Sequence, residues 1–510
     1  MLKFKQMEKH NLSKLIFWMT VVLIMFAQCR KEAVTPTVKP VTPVVIPAAT
    51  ELNTFIWSAM HDYYYWQANI PNLTNAYYQP LTSSSLNYKQ NVDSLNAFLN
   101  KYTNPRTLFT SLKYKNGVVD KWSFIVSDYD SIFNWISGTS TSIGADYQLY
   151  YLNNTSSDIL GVVRYVLKGS PADLAGVQRG DIFNKVDGVQ LTASNYMTNL
   201  INKQTFTLTF SKVVSGAFVP TGKTATMTAV NMQEDPVFLN KVITANGYNV
   251  GYLVYNGFTS DFDLELNTVF QKFKAAGVNK IIVDLRYNGG GSVQSAIYLA
   301  SMIYSTNTSK LFTKSVYNSI LTPYITSQYG ASYFLSNFTD RINTTPINSL
   351  GISDIYFIVS GETASASELL INGLKPYMNV ISVGTNTYGK YVASLTLQDY
   401  DANNKLVTTH KYAMQPIVAE YANSLGVTEF VNGLVPDITA KEDIGNMLQL
   451  GDENEQLLKI VLDYIKGQKS QSLTTASSLA NSRYLFGTRA QSRFSHDMFV
   501  DPKNLGKRTN

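Results

Sequence analysis

Val283-Asp284-Leu285-Arg286-Tyr287-Asn288-Gly289-Gly290-Gly291-Ser292 follows on from a short apolar run, residues 281–285, and leads into a helical pattern that begins near Val293. A run this short, bounded by glycines, reads as a buried strand. Three successive glycines cost backbone entropy, so they mark a place of close backbone approach. The turn lacks the Gly-Lys-Ser/Thr ending of a phosphate loop and the Gly-x-Gly-x-x-Gly spacing of a dinucleotide fold, so neither phosphate reading is supported. Outward from this turn, strand and helix patterns alternate. Residues 250–255 read as a strand. Phe262, Leu266, Val269, Phe270 and Phe273 then form one helical stripe that stops at Gly277. Residues 355–359 read as a strand, a helix starts near Ser365, residues 380–383 form another strand, and residues 455–465 form the last helix. Such alternation predicts an α/β core over residues 236–466.

At 510 residues the chain exceeds what one compact core holds, and a multidomain α/β protein is expected. The net charge of +6 is spread without a block of like charges, so no nucleic-acid partner is expected. One cysteine excludes an intrachain disulfide framework. The four histidines, His10, His61, His410 and His496, show no ligand spacing, so neither a metal nor another cofactor is expected.

Lys3, Lys5, Lys9 and Lys14 precede an apolar run over residues 15–27, a pattern of export signals. Cys29 stands just beyond it and resembles the acylated residue of a bacterial lipoprotein, although Phe26 and Gln28 depart from the commoner neighbours. The expected address is the cell envelope, periplasmic or outer-membrane, with residues 1–29 as signal and a lipid on Cys29 as membrane anchor. Residues 30–48 are a proline-rich spacer. Residues 49–137 form a small helical region, with helices predicted near 51–65 and 92–99. The polar stretch 467–510 has no assigned role.

Gly361-Glu-Thr-Ala-Ser365-Ala366-Ser367-Glu368 precedes Lys390 by a fixed interval, Ser365 to Lys390 being 25 positions. A serine hydroxyl needs a base to become a nucleophile, and a buried lysine can serve once desolvation lowers its pKa. Ser365 lies where a strand and loop lead into a helix, whose unpaired N–H groups favour developing negative charge. The same residues equally describe an ordinary helix start, with Ser365 as N-cap and Glu368 closing a capping box. The triple glycine could supply amides to an oxyanion hole.

Taken together, Asp284-Leu-Arg-Tyr-Asn-Gly-Gly-Gly291, Ser365-Ala-Ser-Glu368 and Tyr388-Gly-Lys390 resemble the carboxyl-terminal processing (tail-specific) serine peptidase family, over roughly residues 50–465. The resemblance implies a crotonase-like ββα catalytic core. It implies Ser365 as nucleophile, Lys390 as general base, and an oxyanion hole from Ala366 with Gly290 or Gly291. Many members carry Gln four residues after the lysine; here Ser394 stands there, so Glu368 or Ser394 is expected to orient the pair.

Residues 138–213 form a separate unit, in which residues 205–210 alternate as a half-buried strand. Gly169-Ser-Pro-Ala-Asp-Leu-Ala-Gly176 and the glycine-punctuated stretch to Gly188 resemble a PDZ domain. That resemblance makes Ser142, Ile143, Gly144 and Ala145 the carboxylate-binding loop, with a ligand strand beside residues 147–150 and a helix at 192–201 as the other wall. The expected partners are polypeptide substrates, bound through their C-terminal tails. Three other readings stand beside this one: an inactive peptide-binding relative, a thioester acyl-transfer enzyme, and a hydrolase built on His410.

Overall fold

The computed structural model describes residues 46–78, 87–468, 479, 482–488 and 496–500. The expected signal, Cys29 and nearly all of the proline-rich spacer lie outside the described residues, as do parts of the 467–510 stretch. A central six-stranded sheet carries the core in the order Leu239–Ala245, Tyr248–Val254, Lys280–Asp284, Asp354–Val359, Asn379–Gly384 and Ile438–Thr439. Its first pair is antiparallel and the rest are parallel, as strand–helix alternation requires. The helix Asp263–Ala275 covers one face. It begins with Asp263 and Glu265, ends with Lys272 and Lys274 as the helix dipole favours, and buries Leu266, Val269, Phe270 and Phe273. Gly277 follows at φ +64°, the left-handed stop that glycine permits.

A second six-stranded sheet contains Gly291–Ser292, Met498–Phe499, Val392–Ser394, Ile417–Asn423, Leu311–Tyr317 and Leu335–Asn337. Its second member comes from the far C-terminal stretch. Ahead of the core, the helices Glu51–Tyr63, Tyr88–Leu99, Pro105–Ser111 and Asp130–Ile136 form the helical region. Ile56, Met60, Leu99 and Leu108 in that region are fully buried within the main hydrophobic core, so it packs as part of the core.

The PDZ-like sheet runs Ala145–Tyr151, Ile159–Val166, Ile182–Val186, Thr205–Val214 and Ala217–Thr228 in spatial order. It continues past residue 213 because Thr205–Val214 forms a hairpin with Ala217–Thr228. The helix expected at 192–201 is confined to a single wide turn, Met197–Ile201. Asn195 is the physical reason: its Oδ1 accepts the Thr192 N–H at 2.8 Å and its Nδ2 donates to the Gln190 carbonyl at 2.9 Å. Short polar side chains compete in this way with helical hydrogen bonds.

The outer edge of this sheet, the side of Ala145–Tyr151 where a ligand strand is expected, is occupied. Arg483–Gly487 of the same chain pairs antiparallel with it, Arg483 opposite Tyr151 and Gly487 opposite Gln148. The 467–510 stretch therefore contributes strands to two different sheets.

Candidate active site

Ser365 caps the helix Ala366–Leu374 and sits at φ +67°, ψ −112°, a conformation that costs a non-glycine residue on the order of 1–3 kcal/mol. Such strain persists only where the surroundings hold it. Here they do: Glu368 Oε2 accepts the Ser365 N–H at 2.7 Å, and Leu369 N–H returns to the Ser365 carbonyl at 2.8 Å. Ser365 is fully buried, and its Oγ has no hydrogen-bond partner among the described residues.

Lys390 is also fully buried. Burial pulls its ammonium below the usual lysine range, with the nearby Asp497 carboxylate opposing that shift. Nζ forms an ion pair with Asp497 Oδ1. The Asp497 carboxyl is pushed up by its own burial and pulled back by the lysine. Gly290 is packed between the Asp497 carbonyl oxygen and the Ser365 side chain: a Cβ added to it would stand 2.7 Å from that oxygen and 2.7 Å from Ser365 Cβ. Asp497 thus touches Lys390 through its carboxylate and the glycine turn beside Ser365 through its carbonyl.

Glu368 binds the backbone beside Lys390 and makes no bond to its side chain. Its carboxylate accepts the N–H groups of Lys390 (2.9 Å) and Gly389 (2.7 Å) and the Thr387 hydroxyl (2.5 Å), in addition to that of Ser365. Burial pushes this carboxyl up to about 7 against the pull of the four donors. Glu368 is the tie that fixes the Ser365 turn and the Lys390 loop to each other. Ser394, the other expected orienting group, points elsewhere: its Oγ hydrogen-bonds Gln415 Oε1 and lies 3.2 Å from the Met498 carbonyl. The shorter side chain leaves room for Gln415, reaching in from the strand Ala413–Gln415.

Gly290 and Gly291 have φ of +111° and +135°, which explains glycine at both. The Gly290 N–H is taken by Asn288 Oδ1 at 2.9 Å, while Gly291 pairs in parallel with Met498. Ala366 opens the helix beside Ser365 and is fully buried. Of the amides expected in an oxyanion hole, the one at Gly290 is therefore already committed to Asn288. A cleft of about 390 Å³ opens here, lined among others by Trp135, Phe258, Gly290, Thr488, Asp497 and Phe499.

In the PDZ-like unit, Ser142 ends a strand paired with Val230–Gln233, and its Oγ accepts the Gly144 N–H at 2.9 Å. The Ile143 and Gly144 carbonyls accept from Ala172 (2.9 Å) and Leu167 (2.8 Å), and Ala145 opens the groove strand. One amide of the expected nest is thus engaged internally.

Sequence reasoning missed the residues that join this unit to the core. Arg164 donates to Asp146 at 2.5 Å and to Glu362, three positions before Ser365, at 2.7 Å. Arg179 donates to Glu442 at 2.6 Å and to the Tyr287 hydroxyl at 2.6 Å. Arg286, buried, binds Asp284, Glu442 and Glu455. Arg286 and Tyr287 were visible inside the Asp-Leu-Arg-Tyr motif. Their acidic partners carried no signal of their own, being far away in sequence.

Two family descriptions for one kind of enzyme match this chain, "Peptidase family S41" over residues 249–439 and "Peptidase S41 N-terminal domain" over 51–124; a PDZ domain matches 162–198. A carboxyl-terminal-processing protease of Picosynechococcus is 24% identical over 352 residues, 66% of this chain and 73% of that one. A CtpA-like serine protease of Staphylococcus aureus is 24% identical over 400 residues, 73% of each. The crystal structure of an S41 protease from Bacteroides fragilis superposes with a TM-score of 0.63 at 26% identity, covering 81% of this chain and 97% of that one. Fold and comparisons together define a serine-type peptidase with a crotonase-like α/β core and a PDZ-like domain. Residues 249–439 are similar to peptidase family S41 and residues 51–124 to that family's N-terminal domain, and the relatives named above are carboxyl-terminal-processing and CtpA-like serine proteases.

Proposed function

We propose that this chain is an exported endopeptidase that cleaves polypeptides with a Ser365–Lys390 dyad and engages their tails through its PDZ-like domain. The observation that carries the dyad is a fully buried lysine, its charge disfavoured by burial, on a loop tied by Glu368 to a strained serine turn. Neutral Lys390 takes the proton of Ser365 Oγ as that oxygen attacks the scissile carbonyl. The oxyanion forms beside the amides of Ala366 and Gly291. The Lys390 ammonium then returns the proton to the leaving amine, and an acyl-enzyme remains for water to hydrolyse. Export and a lipid anchor at Cys29 follow from the basic and apolar N-terminal pattern alone. The envelope, periplasmic or outer-membrane, is the corresponding compartment. Incubating the purified chain with an unfolded polypeptide and trapping Ser365 with a serine-directed covalent reagent tests the assignment. Mass-labelled peptide containing Ser365, lost in Lys390→Ala, supports it; labelling at another residue overturns it.

A further inference from the structure

The C-terminal stretch enters both sites of the enzyme. In the PDZ-like unit, Arg483–Gly487 lies antiparallel to the groove strand and runs toward its Ala145 end, the direction a bound tail takes. Thr488 N–H continues the ladder to the Tyr147 carbonyl at 3.1 Å. Phe486 is buried in the domain's own core and meets Tyr196 edge-on at 6.0 Å, just before the turn that forms the other groove wall. Thr488 and Asp497 line the same cleft. At the far side, Met498–Phe499 adds to the core sheet beside Gly291–Ser292, and His496 stacks on Tyr388 at 4.1 Å. Next to this strand, Asp497 puts its carbonyl against Gly290, whose other side faces Ser365 Cβ, and its carboxylate on Lys390.

We infer that residues 482–488 and 496–500 are an intramolecular ligand of the chain's own peptide-binding groove and catalytic channel, and that this ligand holds the peptidase inactive until a substrate tail displaces it. The inference rests on the dyad reading proposed above. The chemistry is direct. A general base must be neutral, and an adjacent carboxylate favours the charged ammonium. A substrate strand needs the edge of Ala145–Tyr151 and the space beside Gly291, and both are filled. The occupant is apolar and aromatic where it meets the groove and acidic where it meets the lysine. A displacing substrate is therefore an extended polypeptide with an aromatic or large aliphatic residue at the position of Phe486.

The test uses the full chain and a labelled unfolded polypeptide as substrate. Asp497→Asn and Phe486→Ala should each raise kcat/KM about ten-fold, because each increases the fraction of molecules with an open site. A synthetic peptide of residues 482–500 should return Phe486→Ala toward the wild-type rate, and the same peptide with alanine for the phenylalanine should not. In a Ser365→Ala background, labelled 482–500 peptide should bind the Phe486→Ala chain and be excluded from the chain with an intact tail. Unchanged rates together with equal peptide binding in both backgrounds would overturn the inference. Loss of activity in Asp497→Asn would also overturn it, making Asp497 a positioning partner of Lys390. If instead Ser365→Ala alone retains full activity, the dyad reading is what has failed.

Discussion

Arg164 of the PDZ-like unit donates through Nη1 to the Glu362 carboxylate at 2.7 Å, and Gln148 of the groove strand hydrogen-bonds the same side chain. The strand Ala145–Tyr151 is thereby in contact with the loop that carries Ser365. Arg164 is 3% exposed and stacks its guanidinium 4.5 Å over the Tyr287 ring, so the contact is made in a dry setting where removing one partner is costly.

Glu362→Gln keeps the side chain's shape and removes its charge. It should lower kcat roughly ten-fold while KM for a tail-bearing substrate changes less, since the substitution leaves the backbone edge of Ala145–Tyr151 in place. Steady-state kinetics with circular dichroism as a folding control measure this. An unchanged kcat would reduce the contact to domain docking.

Ser365→Ala and Lys390→Ala should each lower kcat by roughly 10⁴-fold or more, and the double variant should be little worse than either single one. Additive losses would show that the two residues do not act as a unit.

The rate should rise with pH as Lys390 loses its proton, with a midpoint below that of a free lysine, because burial lowers its pKa. Asp497 opposes that lowering, so Asp497→Asn should move the rising limb to lower pH. The shift belongs in kcat/KM, which reports the free enzyme, and a kcat/KM limb that stays in place would remove Asp497 from the environment of the base in the resting chain.

The Arg179–Glu442–Arg286 network predicts acid sensitivity. Its arginines hold the Glu442 carboxyl at about 2, against burial, and Glu455 is also depressed. A carboxylate depressed in the folded state stabilises the fold above its unfolded pKa, about 4.3, and that stability is lost as pH falls toward 2. Denaturant midpoints should therefore drop between pH 5 and pH 2, approximate bounds set by those two values, and drop less in Glu442→Gln.

The strands and helices of the core were legible because each carries its own apolar period. The stripe from Leu266 to Phe273 and the run before Asp284 owe their burial to local pattern, and Gly277 ends the helix by its own chemistry. Ser365 and Lys390 were legible through motif spacing. Gln415 was not, because it reaches Ser394 from a strand placed there by the sheet rather than by proximity in the chain. Asp497 was hidden for the same reason in stronger form. Met498–Phe499 is a two-residue strand between borrowed neighbours, too short to show any period.

A tail covalently joined to its own enzyme competes at a fixed local concentration, however dilute the enzyme becomes. Because Arg483–Gly487 and Met498–Phe499 belong to one covalent chain, a rival that fills only the groove or only the channel leaves the other segment bound, ready to re-close. Polypeptides long and unfolded enough to span both sites escape that penalty. Discrimination against short peptides and folded proteins would then come from chain length and tethering, with no need for a selective pocket at the cleaved bond.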